Sequence, residues 1–136
     1  EAKAVATALT EAERRIIAIE QASRAIANPE LRSRLGRIAA RGRQILERIA
    51  ERPQSMRRAR KFLTVYLDGA QQVSEGYART HRLADSRELE QNFRNVLITI
   101  EDVFAEQERK LLETDLMDLD VQIEVLTKQL KREGIV

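Results

Sequence analysis

The chain has 136 residues, 43% hydrophobic, 34% charged and only 4% aromatic, with a net charge of +2 and no cysteine. That length fits one domain, and a mixture rich in Ala, Leu, Ile, Glu and Arg is the composition of long helices or coiled coils, which excludes a deep aromatic core. The missing cysteines exclude disulfides, thiolate metal sites and cysteine nucleophiles, and they fit a reducing compartment such as the cytoplasm.

The first helix is expected from about Val5 to Ala27. Val5, Leu9, Ala12, Ile16, Ile19, Ser23 and Ile26 alternate four and three residues apart, so they share one stripe. Thr10 with Glu13 has the spacing of a capping box, which would start the ordered helix there. Asn28-Pro29 ends this helix and opens the next, because Asn caps well and Pro suits the first helical position.

The second helix is expected to reach Glu51, with Leu31, Leu35, Ile38, Gly42, Ile45 and Ile49 on its stripe. Gly42 on that stripe points to a close helix approach. Arg32, Arg34, Arg37, Arg41, Arg43 and Arg48 crowd the rest of its surface. So short a connection makes the first two helices antiparallel neighbours.

Pro53 opens a third helix expected to run to about Leu83, with Met56, Ala59, Leu63, Tyr66, Ala70, Val73 and Tyr77 inward and Phe62 and Leu67 flanking. Asp85 with Glu88 reads as the cap of a fourth. Two adjacent apolar lines follow: Leu89, Phe93, Val96, Ile100 and Val103, then Leu97, Phe104 and Leu111. A helix with two such lines reads as the central member of the bundle.

Thr114-Asp115 begins a last segment with Leu116, Leu119, Ile123, Leu126 and Leu130 in alternation; a kink there would join it to the fourth helix as one bent helix. Lys128, Lys131 and Arg132 suit the negative end of a helix dipole, and Gly134 is a natural stop. The expected fold is all-α, an elongated antiparallel, coiled-coil-like bundle of four to five helices in a single domain over 1–136. No stretch is long and apolar enough to span a membrane, and no signal peptide is visible. The chain opens on Glu1, which reads as a fragment of a longer protein and leaves an N-terminal anchor open.

Charge is unevenly spread. Residues 1–61 hold 15 Lys+Arg against 7 Asp+Glu, a net +8, while residues 62–136 hold 9 against 15, a net −6. Halves of opposite sign attract one another and help fix helix order. The densest basic patch is Arg57, Arg58, Arg60 and Lys61, of which Arg57, Arg60 and Lys61 share a helix face. It is a candidate contact for an anion or an acidic membrane surface, with helix N–H groups adding to the field. The plainer reading is a solvated face paired with acidic helices. Nucleic acid is not expected, since no recognised motif and no interleaved aromatics accompany the charge.

Asp115, Asp118 and Asp120 gather carboxylates at a helix start, as a hard cation such as Mg²⁺ or Mn²⁺ would need. The plainer reading is capping: Asp115 caps, and Asp118 complements the dipole from the first turn. His81 is the lone histidine, expected near a helix end and exposed. There is no Ser/His/Asp set beyond what it supplies and no Gly-rich phosphate loop. By residue chemistry alone no cofactor is expected.

Two stretches carry a resemblance: Arg58-Ala59-Arg60-Lys61-Phe62-Leu63 with Tyr66-Leu67, and Asp115 with Asp118-Leu119-Asp120 and Glu124-Val125-Leu126. From roughly the second helix to the C-terminus the chain resembles the bacterial XpaC-like family, named for bromo-chloro-indolyl phosphate hydrolysis. The resemblance implies a helical protein without an established active site, associated with toxic-anion (tellurite) resistance proteins, and it carries over no catalytic residue. It points to a non-enzymatic scaffold with a protein partner, in the cytoplasm or on the inner membrane face, with oligomerisation open. The alternative is a metal-assisted phosphomonoester hydrolase using Asp115, Asp118 and Asp120 with the Arg57–Lys61 cluster.

Overall fold

The structure, a computed structural model, describes residues 2–135. It is all-helical among those residues: α1 (Ala2–Arg24), α2 (Pro29–Glu51), a 3₁₀ turn (Pro53–Ser55), α3 (Met56–Lys61), a π turn (Phe62–Tyr66), α4 (Leu67–Thr80) and α5 (Arg87–Arg132). The helical path from Pro53 to Thr80 is unbroken, so the chain makes a bundle of four helical rods. Consecutive rods run antiparallel. They form a ring in which α1 packs on α2 and α4, while α5 packs on α2 and on the rod holding the π turn. Parallel rods are therefore adjacent in the ring, α1 beside α4 and α2 beside α5. Arg15 meets Asp68 between α1 and α4, and Arg41 meets Glu108 between α2 and α5.

Helix α1 is already formed at Ala2, so Thr10 caps nothing: it is exposed mid-helix, and Glu13 pairs with Arg43 of α2. The alanine-rich opening holds the helix because Ala is the best helix former. The next cap is as expected. Asn28 Oδ1 accepts from the N–H groups of Glu30 and Leu31 at 2.9 and 3.2 Å, with Pro29 in the first helical position. Arg32 closes the corner from the other side, donating to the carbonyls of Ile26 and Ala27 at 2.9 and 2.7 Å at the end of α1.

Gly42 is buried where α2 meets two neighbours. A Cβ there would lie 3.2 Å from Ile16 Cδ1 and 3.7 Å from Phe104 Cε2. The core at this level is the edge-to-face pair Phe62–Phe104, centroids 4.8 Å apart, and both rings are fully buried.

The third rod departs from the expected register. Five residues, Phe62–Tyr66, form a π turn in which Leu67 N–H reaches Phe62 O. A π turn absorbs one extra residue; Ala70 and Tyr77 stay inward as expected, while the inward positions before each of them come one residue later. Leu67 and Ser74 are fully buried where Tyr66 and Val73 are expected, and Val73 is exposed. Ser74 tolerates the core because its Oγ donates to Ala70 O at 2.6 Å.

The fourth rod is capped by Ser86, not Asp85: Ser86 Oγ accepts from Leu89 N–H at 3.1 Å. It continues through Thr114 and Asp115 without interruption, for 46 residues, or roughly 69 Å at 1.5 Å per residue. Its core line is Phe93, Leu97, Phe104 and Leu111, while Val96 is exposed. It is one side of the ring and not the central member, because each rod has only two chief neighbours.

Ion pairs tie the basic α2 to its acidic neighbours. Glu101 accepts from Arg34 and Arg37 at 3.2 and 3.3 Å, and Glu108 from Arg41 and Arg48 at 2.7 and 3.2 Å. Arg94 reaches Glu30 at 2.7 Å. Hydrogen bonds from Arg94 first and Arg34 second hold the Glu30 carboxyl down to about 2.

Candidate functional site

Three features lie at the end of the bundle where α1 begins and α2 ends: a basic corner, an acidic triplet and a projecting helix. The basic corner is α3, where Arg57, Arg58, Arg60 and Lys61 are all exposed. Among the described residues none of the four has a carboxylate within 4.0 Å, unlike Arg34, Arg37, Arg41, Arg43, Arg48 and Arg52. Lys61 lies 5.8 Å over the Tyr66 ring instead. The pairing with acidic helices expected for this face is absent there. The helix start adds no anion cradle, since Pro53 has no N–H and that of Ser55 is taken by Arg52 O at 2.8 Å.

Arg57, Arg58 and Arg60 rim a groove of about 820 Å³ between α3 and the first turns of α1. Val5, Ala8, Ala12, Met56 and Leu63 supply its apolar lining. Arg58 also borders a smaller cavity of about 230 Å³ with Lys110, Glu113 and Thr114 of α5. The arrangement is an apolar trough with a cationic lip, suited to a surface carrying both negative charge and hydrophobic groups.

The acidic triplet does not assemble as a metal site. Asp115 and Asp118 both turn to Arg52, which lies 3.3 Å from Asp115 Oδ1 through Nε and 3.3 Å from Asp118 Oδ2 through Nη2. The Nε contact is out of line for a hydrogen bond, while the Nη2 contact is a true one. Asp120 is exposed on another face. Among the described residues no three His, Cys, Asp or Glu side chains are grouped to hold a metal ion. Nor does any of the cavities bring the triplet together with Arg57, Arg58, Arg60 or Lys61. Asp115 sits mid-helix and caps nothing.

The projecting helix is the last part of α5. Past Leu111 no residue of α5 is buried. Leu116, Leu119, Ile123 and Leu126, expected as an alternating stripe, are 57, 49, 54 and 54% exposed. The rods facing this level have ended, α2 at Glu51, so among the described residues nothing is there to cover the stripe.

At the other end of the bundle Tyr77 stacks between Phe93 and His81, at centroid distances of 4.1 and 5.0 Å. Burial first, then the charge of Glu90, pushes the Tyr77 hydroxyl up. His81 Nδ1 lies 2.8 Å from Tyr77 O, so the lone histidine is a half-buried terminator of α4 and not a free surface residue. This stack was missed at the level of sequence because Tyr77 and Phe93 belong to different helices. The only local signal was the four-residue spacing of Tyr77 and His81.

The profile of a family described as 5-bromo-4-chloroindolyl phosphate hydrolysis protein matches residues 1–126. The match takes in α1, which lies outside the stretch that carries the resemblance. No curated protein and no solved structure matches the chain. Among the described residues no helix is long and apolar enough to cross a membrane.

Proposed function

This chain belongs to the 5-bromo-4-chloroindolyl phosphate hydrolysis protein family, and we propose that it serves there as a non-enzymatic helical interaction module. The observation that carries this reading is the uncovered apolar stripe Leu116–Leu130 on a helix that leaves the bundle. A monomer gains nothing from holding Leu116, Leu119, Ile123 and Leu126 in water, whereas a partner that covers them gains the free energy of their burial. The engagement of Asp115 and Asp118 by Arg52, and not by a shared pocket with the Arg57–Lys61 corner, supports the same view. A phosphomonoester hydrolase needs metal ligands and phosphate-binding cations converging on one pocket. The partner we favour is a protein of the toxic-anion resistance kind, met in the cytoplasm or on its membrane face. The XpaC-like resemblance suggests that setting.

The competing reading, metal-assisted hydrolysis of an aryl phosphate, takes its support from the family's description. One experiment separates the two: turnover of an aryl phosphate by the purified protein, with and without Mg²⁺ or Mn²⁺, beside the Asp118→Asn/Asp120→Asn variant. The expected result is no metal-dependent turnover, or equal turnover in both proteins. Metal-dependent turnover lost in the variant would replace the scaffold with a hydrolase.

A further inference from the structure

The α5 extension carries, on one helix, both halves of an interface. Leu112, Leu116, Leu119, Ile123, Leu126 and Leu130 recur at alternating intervals of four and three, the seam of a two-stranded coiled coil. They span about 28 Å of helix, at about 1.5 Å per residue. A bare helix of this size is marginal in water unless its apolar face is covered. Charge along it is polar from end to end. Glu113, Asp115, Asp118, Asp120 and Glu124 occupy its first half, and Lys128, Lys131 and Arg132 its second. Lys128 lies 3.5 Å from Glu124, whereas Lys131 and Arg132 have no carboxylate within 4.0 Å among the described residues.

We propose that two copies of this chain associate through Leu112–Leu130 of α5 as an antiparallel coiled coil. The occupant of the stripe follows from the charge order. In parallel, five carboxylates would stack on the same five, and the unpaired Lys131 and Arg132 would stack on themselves. In antiparallel at full overlap, Lys128 of one helix falls level with Thr114 of the other, between Glu113 and Asp115, and Lys131 falls within two residues of Glu113. The spacing allows full overlap, with Leu112 level with Leu130, Leu116 with Leu126, and Leu119 with Ile123 of the other copy. Every member of the seam is then covered. This deepens the interaction-module reading and rests on the α5 stripe being a binding surface.

The test uses the full chain, whose lack of cysteine makes single-cysteine reporters clean. Sedimentation equilibrium over low to high micromolar concentration should show a monomer–dimer equilibrium. Leu119→Asp/Ile123→Asp should weaken it by at least about tenfold, as expected for central interface anchors. These positions lie outside the bundle core, so the variant keeps its folded bundle, checked by its thermal transition. A mixture of Leu116→Cys and Leu126→Cys chains should oxidise to the mixed disulfide, with little Leu116→Cys homodimer. A monomer at every concentration, an association untouched by the double aspartate, or preferential linkage of Leu116→Cys to itself would each overturn the proposal. The aryl phosphate assay is independent of these outcomes. A monomer without turnover would leave the interaction module standing with a different partner.

Discussion

At the residue scale, two glycines of α2 show how one substitution changes meaning with its surroundings. Gly36 is exposed mid-helix, and a Cβ there would have nothing within 4 Å. Gly36→Ala should therefore stabilise by about 0.5–1 kcal/mol, purely through backbone entropy. In a chain of this size that is about 2–4 °C in thermal midpoint. Gly42→Ala carries the same propensity gain, but its Cβ meets the buried tip of Ile16 at 3.2 Å. It should fall short of Gly36→Ala by about 1 kcal/mol or more as the core adjusts. Parallel calorimetric melts compare them, and equal gains would mean that α1 and α2 approach less closely than described. Asn28 and Ser86 are caps of the same local kind, legible from composition. The choice between Asp85 and Ser86 was not, because both side chains can accept, and the chain direction into α5 selects Ser86.

At the element scale, the π turn decides the register of the third rod. Its exposed residues Thr64 and Val65 are the surplus over a regular helix, while Phe62, Leu63 and Leu67 keep their places in the core. Deleting Thr64 should convert the π turn to an α turn without rotating α4. The deletion variant should keep its helical signal and a cooperative melt, losing at most about 1–2 kcal/mol, well below the roughly 3–5 kcal/mol of truncating a buried Phe. Loss of the cooperative transition would mean that the π turn is needed for more than register. The same scale explains α5. A continuous helix forms wherever propensity is unbroken, and nothing between Leu111 and Asp120 breaks it. Whether a helix has neighbours is a separate matter, set by where the other rods stop.

At the scale of the whole molecule, the +8 and −6 halves are tied together by ion pairs at Asp68, Glu101, Glu108, Asp115 and Asp118. Arg57, Arg58 and Arg60 form a cluster of cations without a carboxylate within 4.0 Å among the described residues, beside an apolar groove. A corner of that kind should hold an anionic surface. Three arginines at about 1 kcal/mol each predict roughly a hundredfold preference for vesicles containing acidic phospholipid over neutral ones at low salt. The preference should shrink as salt shortens the screening length from about 10 Å at 0.1 M towards about 3 Å at 1 M. Arg57→Gln/Arg58→Gln/Arg60→Gln should abolish it in a vesicle co-sedimentation assay. Binding that ignores salt would remove this role from the corner.

The sequence by itself determined the helices, the breaks at Asn28-Pro29 and Pro53, the stripes of α1 and α2, and the bundle class. Each of these follows from local preference or from a period read along one chain segment. The candidate residues were legible as types: four clustered cations and three clustered carboxylates. Tertiary structure alone decided what they are. Arg52 reaches across from α2 to take Asp115 and Asp118 in an ion pair, which no spacing along α5 records. α5 passes α3 without bringing a carboxylate within 4.0 Å of its four cations, so they stay free among the described residues. The inward register after Phe62 and the exposure of Leu116–Leu130 were likewise beyond the sequence. Both depend on how far the neighbouring rods extend and where they pack, and a hydrophobic period records that a face must be covered without recording by what.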